Sequence, residues 1–244
     1  SGASLLVAFV IMGLQIFGLS SESIWGQFGI VGAGIIGSTS VLFLLIFIGA
    51  RFSSKLFIIV FGLIFGHLVG GLISIMMAFS GLEEMRSFFL WSLGSFQRVS
   101  GNDVILLTII LSASVLASVF CVKPLNLFLL GDDYAASSGI SIKKMQIYLI
   151  LLVGVITGVI TAYCGPIAFV GIMGPHIARF LLNTSDHKKL IPYSFIIGSS
   201  LAMMAELLSS ALPNFQIPLN AILGLIGAPL VLFFILKKSV RGFV

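Results

Sequence analysis

Residues 56–80 read LFIIVFGLIFGHLVGGLISIMMAFS, and this stretch decides the class of fold. It exceeds the roughly 20 apolar residues that a helix needs to cross a bilayer, and His67 is its one ionisable side chain. Inside a bilayer each backbone N–H and C=O must find a partner within the protein, which a helix provides by itself. The stretch therefore predicts a membrane-spanning helix.

The same template predicts eight crossings along the chain. Hydrophobic residues make up 59% of the 244 residues and charged residues only 9%, whereas a soluble domain has about 25% charged residues. We therefore predict an all-α polytopic membrane protein with a single membrane domain over residues 1–244. The first and sixth crossings are short, and Pro175 suggests that the sixth is broken or tilted. The predicted crossings are residues 3–18, 27–49, 56–80, 103–122, 145–163, 166–182, 191–211 and 219–236.

The basic residues predict the orientation. Eight crossings put both termini on one side, and the loops on that side carry eleven of the 13 Lys and Arg residues, against Arg86 and Arg98 on the other side. Because basic residues accumulate in cytoplasmic loops, this bias predicts cytoplasmic termini. The eleven are Arg51, Lys55, Lys123, Lys143, Lys144, Arg179, Lys188, Lys189, Lys237, Lys238 and Arg241.

Several classes of function are disfavoured by the sequence. The basic residues form no long run or aromatic-interleaved patch, which argues against nucleic-acid binding. Cys121 and Cys164 have no metal or redox spacing, and the chain has no G-x-x-x-x-G-K-[ST] nucleotide loop. We therefore expect no catalytic residue, metal site or cofactor site in this chain. Because Ser1 stands inside an apolar stretch, the chain is expected to be truncated.

Two ionisable residues, His67 and Glu206, fall inside predicted crossings. A charge in the bilayer costs about 2.5–3.5 kcal/mol on insertion scales, so such residues usually face a cavity or a partner. Each is either a hydrogen-bonded packing residue or a polar position on a translocation path. Small residues also recur at four-residue spacing, which predicts close helix packing; they are Gly62, Gly66 and Gly70, and then Gly154 and Gly158.

The connection 123–144 is one of the two long ones. Asp132 and Asp133, followed by Tyr134 and Ala135, predict the start of a short helix, because acids are favoured at a helix N-terminus. Ser138, Gly139 and Ser141 then allow a sharp turn into a second helix. The alternative is an ordinary solvated loop with a helix cap.

The stretch from Gly165 to Arg179, followed by Asp186 and His187, resembles the signature of the FecCD-type permeases. These are subunits of ATP-binding-cassette (ABC) importers for iron-siderophores, haem and cobalamin. Four further segments resemble the family in the right order, so that the resemblance covers nearly the whole chain. They are Ser1–Ser4, Trp91–Ser95, Leu130–Ala135 with Ser138 and Gly139, and Gly224–Pro229.

The resemblance implies a ten-helix permease from which the first two helices and part of the third are missing here. It implies a passive subunit of the bacterial cytoplasmic membrane that imports an iron chelate, or a related haem or cobalamin ligand, by alternating access. The implied partners are ATPase subunits that hydrolyse ATP, a second permease copy or paralogue, an extracytoplasmic binding protein and lipid. An ion-gradient-driven secondary transporter or channel is the alternative.

The resemblance also implies roles for particular residues. Arg86 and Arg98, which flank the aromatic stretch 88–96, become candidates for docking the binding protein; the alternative is that they are unpaired surface arginines. The amphipathic character of the stretch itself predicts a short helix at the membrane surface. One departure is that Ser209 and Ser210 stand where many relatives carry an arginine. Contact with the ATPase is implied for Leu130, Gly131, Asp132, Asp133, Tyr134, Ala135, Ser138 and Gly139.

The signature itself is expected to be structural. Pro166 and Pro175 should mark a helix start and a bend, because proline lacks the amide donor. His176 has no partner at catalytic or metal-ligand spacing, and Arg179 could reach headgroups or helix-terminal carbonyls. The signature residues are Gly165, Pro166, Gly171, Pro175, His176 and Arg179.

Overall fold

The computed structural model describes residues 2–13, 24–51, 55–211 and 217–241, and within these ranges every regular element is a helix. The all-α class predicted from the sequence is therefore confirmed. In chain order the helices are α1 (Gly2–Gly13), α2 (Ile24–Arg51), α3 (Lys55–Phe79), α4 (Leu82–Ser92), α5 (Gly101–Val119), α6 (Val122–Phe128), α7 (Asp132–Ser137), α8 (Ile142–Cys164), α9 (Val170–Leu182), α10 (His187–Ser209) and α11 (Leu219–Arg241).

Each of the eight predicted crossings overlaps one of these helices, and residues 14–18 of the first crossing lie outside the described residues. In the described part of the chain, four are long and apolar enough to cross a membrane, within α2, α3, α8 and α10. Helices α5 and α6 meet at an angle of 49° and would add a fifth crossing if they form one broken span. The apolar parts of α1, α9 and α11 are shorter. The count of eight crossings therefore stays a prediction.

Two helix starts differ from the predicted crossings. Helix α10 begins at His187 rather than near residue 191, because the Asp186 side chain caps it and accepts a hydrogen bond from the Lys188 N–H at 2.9 Å. The expectation that Pro166 starts the sixth helix is wrong. Residues 165–169 are non-helical, and α9 begins at Val170.

The chain forms two compact units. The first comprises residues 1–92, 97–114 and 146–166. Its core surrounds α1, where Val7, Ala8 and Ile11 pack with Phe88 and Trp91 of α4. The buried Trp91 indole N–H also donates to the Ala162 carbonyl of α8 at 3.2 Å, which ties α4 to α8.

The two glycine rows behave differently in this unit. A Cβ on Gly158 would lie 2.5 Å from the Cα of Ile35, so α8 and α2 touch backbone to backbone there. The Ser38 hydroxyl beside it donates to the Gly154 carbonyl at 2.7 Å. In contrast, a Cβ on Gly62, Gly66 or Gly70 of α3 would meet nothing within 4 Å. The described helices therefore confirm close packing for the α8 glycines alone.

The second unit comprises residues 93–96, 115–145 and 167–244. Helices α9, α10 and α11 pack together around buried Met173, Ala205, Leu219 and Leu223. Helix α6 contacts both α7 and α10. The predicted 123–144 connection and the signature after residue 167 therefore belong to this one unit.

Candidate functional site

The 123–144 segment presents apolar and acidic side chains to its surroundings. Within it, α7 starts with Asp132 and Asp133, both exposed, as the sequence predicted. Leu130 is 65% exposed and Tyr134 is 52% exposed, whereas Ala135 is fully buried. This segment therefore presents both apolar and acidic side chains that could contact another protein.

The turn after α7 is built by hydrogen bonds that require a left-handed residue. The Ile140 N–H donates to the Ala135 carbonyl at 3.1 Å, and the Gly139 N–H donates to the Ala136 carbonyl at 3.0 Å. This pair of bonds is the Schellman motif, in which the residue past the C-cap is left-handed. Gly139 has φ = 86°, so the sharp turn expected there is confirmed and glycine is the residue that permits it.

A group of polar side chains joins the start of this segment to α10. Its central residue, Asn126, was not predicted from the sequence. The Asn126 amide of α6 donates to the Asp186 carboxylate at 2.6 Å. Its oxygen accepts from the backbone N–H of His187 at 2.8 Å and lies 2.8 Å from the His187 ring Nδ1. Residues 126 and 186 are far apart in sequence, so no local pattern predicts the pairing; Asp186 before His187 was visible only as part of the signature.

Asp186 is held ionised by its surroundings. The Lys188 backbone N–H, and after it the Asn126 amide, lower the pKa of the Asp186 carboxyl, because both hydrogen bonds favour the charged form. The nearby Lys189 and Lys188 ammonium groups act in the same direction. The carboxylate therefore serves α6 and the N-terminus of α10 together at neutral pH.

The signature begins with two residues in the left-handed region. Gly165 has φ = 78° and Phe169 has φ = 66°. The Val170 N–H donates to the Ala168 carbonyl at 2.8 Å, so the chain turns tightly over Phe169, a conformation that is rare and strained for a side-chain-bearing residue. The Ala168 N–H donates to the Asn220 side chain of α11 at 3.2 Å, which helps to hold this turn.

The side chain of Phe169 packs against the glycines of α11. A Cβ on Gly227 would lie 2.6 Å from the Cβ of Phe169, whereas a Cβ on Gly224 would lie 4.0 Å from the Phe169 ring. Gly227 therefore lets α11 approach the turn, and the two separate sequence motifs form one packing contact.

The remaining signature residues form ordinary helix surface. Pro175 lies inside α9, and Gly171, Pro175, His176 and Arg179 are all exposed in this chain. The His176 Nδ1 lies 2.9 Å from the Ile172 carbonyl of its own helix. No group of three metal-ligating side chains occurs among the described residues. The structural interpretation of His176 accounts for these contacts.

Arg86 and Arg98 lie in the first unit, and both are exposed. The Arg98 guanidinium donates to the Leu90 carbonyl at the end of α4. Helix α4 buries Glu84, Phe88 and Trp91 on one face. The expected surface helix over residues 88–96 is wrong beyond Ser92, because α4 starts at Leu82 and ends at Ser92. It packs Phe88 and Trp91 into the core, whereas Phe89 is 55% exposed.

His67 and Glu206 belong to different units. His67 is exposed on α3. Glu206 is half-buried, and its Oε2 atom is buried without a hydrogen-bond partner among the described residues. Glu206 lines a cavity of about 450 Å³ in the second unit, whose other walls are Phe96, Ser199, Ala202, Met203 and Leu207. Glu206 is thus the one lining residue that the sequence singled out, although its Oε2 atom is buried and the exposed surface of the cavity is apolar.

A sequence model of one transporter family covers almost all of this chain, matching residues 1–237. The chain belongs to the FecCD transport family. A predicted ABC transporter permease of Methanocaldococcus jannaschii is 31% identical over 97% of this chain and 70% of its own length. The vitamin B12 import system permease of Photorhabdus laumondii is 28% identical over 97% of this chain and 69% of its own length.

The fold agrees with this membership in the FecCD family. A solved chain, assigned to the metal-chelate type of ABC transporter and captured in an inward-facing conformation, superimposes with a TM-score of 0.80 at 24% identity. The match covers 97% of this chain and 74% of that one. The resemblance stated from the sequence motifs is confirmed, and the chain is an ABC importer permease of multi-pass type.

Proposed function

We propose that this chain is the transmembrane subunit through which an iron chelate, or a related haem or cobalamin ligand, enters the cytoplasm by alternating access. ATP is hydrolysed by a separate ATPase subunit, because this chain carries no nucleotide loop. The proposal is supported by membership in the FecCD family and by the surface of the 123–144 segment.

The shape of α7 and its turn carries the proposal. Helix α7 carries two acids at its start and the exposed Tyr134, with the exposed Leu130 just before it and a glycine-dependent turn after it, and another protein can bind this surface. Apolar anchors surrounded by polar groups are the usual form of such contacts. We assign the ATPase contact to Leu130, Gly131, Asp132, Asp133, Tyr134, Ala135, Ser138 and Gly139.

The proposed membrane orientation rests on the distribution of basic residues. Eight crossings with both termini inside put the 123–144 segment in the cytoplasm, where the ATPase is, and put Arg86 and Arg98 outside, where a binding protein would dock. The chain would then reside in the cytoplasmic membrane of a bacterium. Cysteine accessibility at Ser137 and Ser87, probed from each side of the membrane, tests this arrangement.

A second permease copy or paralogue is needed to complete the pathway. Helix α3 supports this part of the proposal, because Leu63, Ile64, His67 and Leu68 are all exposed and its glycine row is uncovered. A second chain lying close to α3 would use these glycines as α8 uses Gly158, and lipid would cover the remainder.

The deciding experiment places the permease, its cognate ATPase and its binding protein in proteoliposomes and measures uptake of labelled ferric siderophore, haem and cobalamin. ATP-dependent uptake of one of them is expected. The double substitution Asp132→Lys with Gly139→Pro should abolish coupled ATPase activity while the protein still inserts. Normal coupling in that variant would remove the segment from the mechanism.

Glu206 favours a second candidate function, an ion-gradient-driven transporter or channel. Its unpartnered carboxylate oxygen beside a cavity is a feature that proton- or cation-coupled transporters use. Uptake that persists without ATP and collapses when a protonophore is added would favour this function over the importer.

A further inference from the structure

Asn126 is the one polar residue by which α6 is bonded to α10 among the contacts the structure describes. Its amide nitrogen is 2.6 Å from the Asp186 Oδ1, and its oxygen is 2.8 Å from both the His187 backbone nitrogen and the His187 Nδ1. The orientation of the amide is fixed by chemistry, because a carboxylate accepts only from the NH₂ end and a backbone N–H donates only to the oxygen.

Apart from Asn126, α6 is held by apolar contacts. None of its seven residues is fully buried, but six of them are half-buried. Apolar contacts alone would let so short a helix slide against α10, because they have no preferred direction. The hydrogen bonds of Asn126 are directional, and one of them goes to the charged Asp186, which makes it stronger than a bond between neutral groups.

Asp186 and His187 are the cap and the first residue of α10. Asp186 Oδ1 accepts from Asn126 and from the Lys188 N–H at once. A displacement of α6 therefore acts directly on the N-terminus of α10. Glu206 and its cavity lie 20 residues further along the same helix, a distance of about 30 Å along a helix axis.

We propose that Asn126 is the positioning residue that transmits movement of the 123–144 segment to α10, and thereby to the cavity wall that carries Glu206. This inference rests on the proposed contact between that segment and an ATPase. In it Asn126 touches neither substrate nor nucleotide. It holds the α10 cap to the base of the segment, so that α10 follows when the ATPase moves α7.

The hydrogen bond between residues 126 and 186 can be broken by one substitution and restored by a second. Asn126→Asp puts a second carboxylate against Asp186 and should break the link, since like charges in contact repel. Combining it with Asp186→Asn restores complementarity with the roles exchanged: residue 126 accepts from His187 and from the new amide, while Asn remains as good an N-cap as Asp. Asn183→Gly is the matched control, because Asn183 is exposed, caps the end of α9 and has the left-handed φ of 47° that glycine adopts readily.

The experiment uses the complete transporter in nanodiscs and proteoliposomes. For Asn126→Ala and Asn126→Asp we expect co-purification with the ATPase and basal ATP hydrolysis to persist. The probe is whichever of labelled ferric siderophore, haem or cobalamin the wild type transports, and its uptake per ATP should fall roughly tenfold, as the loss of a charge-assisted hydrogen bond would allow. Hydrogen exchange of the α10 amides from 188 to 199 should change on ATP binding in the wild type and not in these variants. The double variant should recover most of the transport, and Asn183→Gly should match the wild type.

Two outcomes overturn the inference. One is a wild-type ratio of transport to hydrolysis in Asn126→Ala; the other is a double variant no better than Asn126→Asp alone. If Asn126→Ala does not insert, the comparison of Asn126→Asp with the double variant decides. A wild-type complex that neither binds the ATPase nor transports with ATP refutes the proposed function instead, so the two failures are distinguishable.

Discussion

Phe169 packs so closely against Gly227 that no side chain fits at residue 227. A Cβ added to Gly227 would lie 2.6 Å from the Cβ of Phe169 and 2.8 Å from its Cγ. Phe169 cannot retreat easily, because its φ of 66° belongs to a tight turn whose Ala168 N–H is bonded to Asn220 of α11. The turn of the signature and the glycines of the last helix therefore depend on each other.

Gly227→Ala should destabilise the second unit. The methyl group must displace the Cβ of Phe169, and overpacking of this kind costs about 1–3 kcal/mol. We expect a lower thermal unfolding temperature in detergent. Gly224→Ala is the control, since its Cβ would be 4.0 Å from the Phe169 ring, an ordinary contact distance. Equal unfolding temperatures for the two variants would contradict the contact.

Gly158→Ala should disturb the first unit for the same reason. Its Cβ would lie 2.5 Å from the Ile35 Cα and 2.7 Å from the Ile35 nitrogen, and neither backbone atom can move without shifting α2. A loss of about 1–3 kcal/mol is expected. Gly66→Ala on α3 should keep or raise the unfolding temperature of the isolated chain, because nothing lies within 4 Å of its Cβ position and alanine favours a helix interior by about 0.5–1 kcal/mol over glycine. If a second copy covers α3, Gly66→Ala should weaken dimerisation, measured by light scattering in detergent.

The contrast between these glycines shows what could be read from the sequence. Long apolar runs fix the helical class, because a bilayer leaves the backbone few alternatives. The two acids at the start of α7 and Gly139 after its end predicted the helix and its turn, because helix caps depend on neighbouring residues in the sequence. Equal spacing of Gly62, Gly66 and Gly70 and of Gly154 and Gly158 could not say which row is packed, since that depends on a neighbouring helix.

The hydrogen bonds of Asn126 also could not be predicted from the sequence. An Asn in a short helix gives no local sign of a partner, and its bonds to Asp186 and His187 exist only after α6 and α10 have packed. Similarly, the start of α9 at Val170 could not be found from Pro166, because the strained turn at Phe169 is held by Asn220, a residue of another helix.

Gly139→Ala should loosen the turn after α7 without removing the helix. Gly139 has φ = 86°, and a left-handed conformation costs an L-residue roughly 1–2 kcal/mol. We expect faster hydrogen exchange at Ile140 and weaker binding of the ATPase, measured by titration with the purified subunit. Ser137→Ala serves as the control, because Ser137 is exposed and keeps a helical backbone. Unchanged exchange at Ile140 in Gly139→Ala would show that the turn does not need glycine.

The Asp186 cap should make the N-terminus of α10 sensitive to acid. Because hydrogen bonds from Lys188 and Asn126 hold the pKa of Asp186 below its usual range, its contribution to stability is complete above the unfolded pKa of about 3.9 and is lost as the pH falls through the lower folded value. The unfolding temperature should therefore respond to this group only below about pH 4. Asp186→Asn should flatten that part of the profile, because an amide does not titrate. A profile for Asp186→Asn that matches the wild type between pH 3 and pH 5 would mean that another carboxyl controls the acid response.

Glu206→Gln separates a structural role of this residue from a functional one. The buried Oε2 atom has no hydrogen-bond partner among the described residues, and an unpartnered carboxyl group is costlier to bury than an unpartnered amide. Replacing the carboxylate with a neutral amide should therefore keep or raise the unfolding temperature. If Glu206 contributes to the pathway, transport should fall while co-purification with the ATPase stays normal. Ser200→Ala tests the general tolerance of α10, because Ser200 is exposed and outside the cavity lining. A Glu206→Gln protein that is less stable yet transports normally would assign the residue to packing and take the cavity out of the pathway.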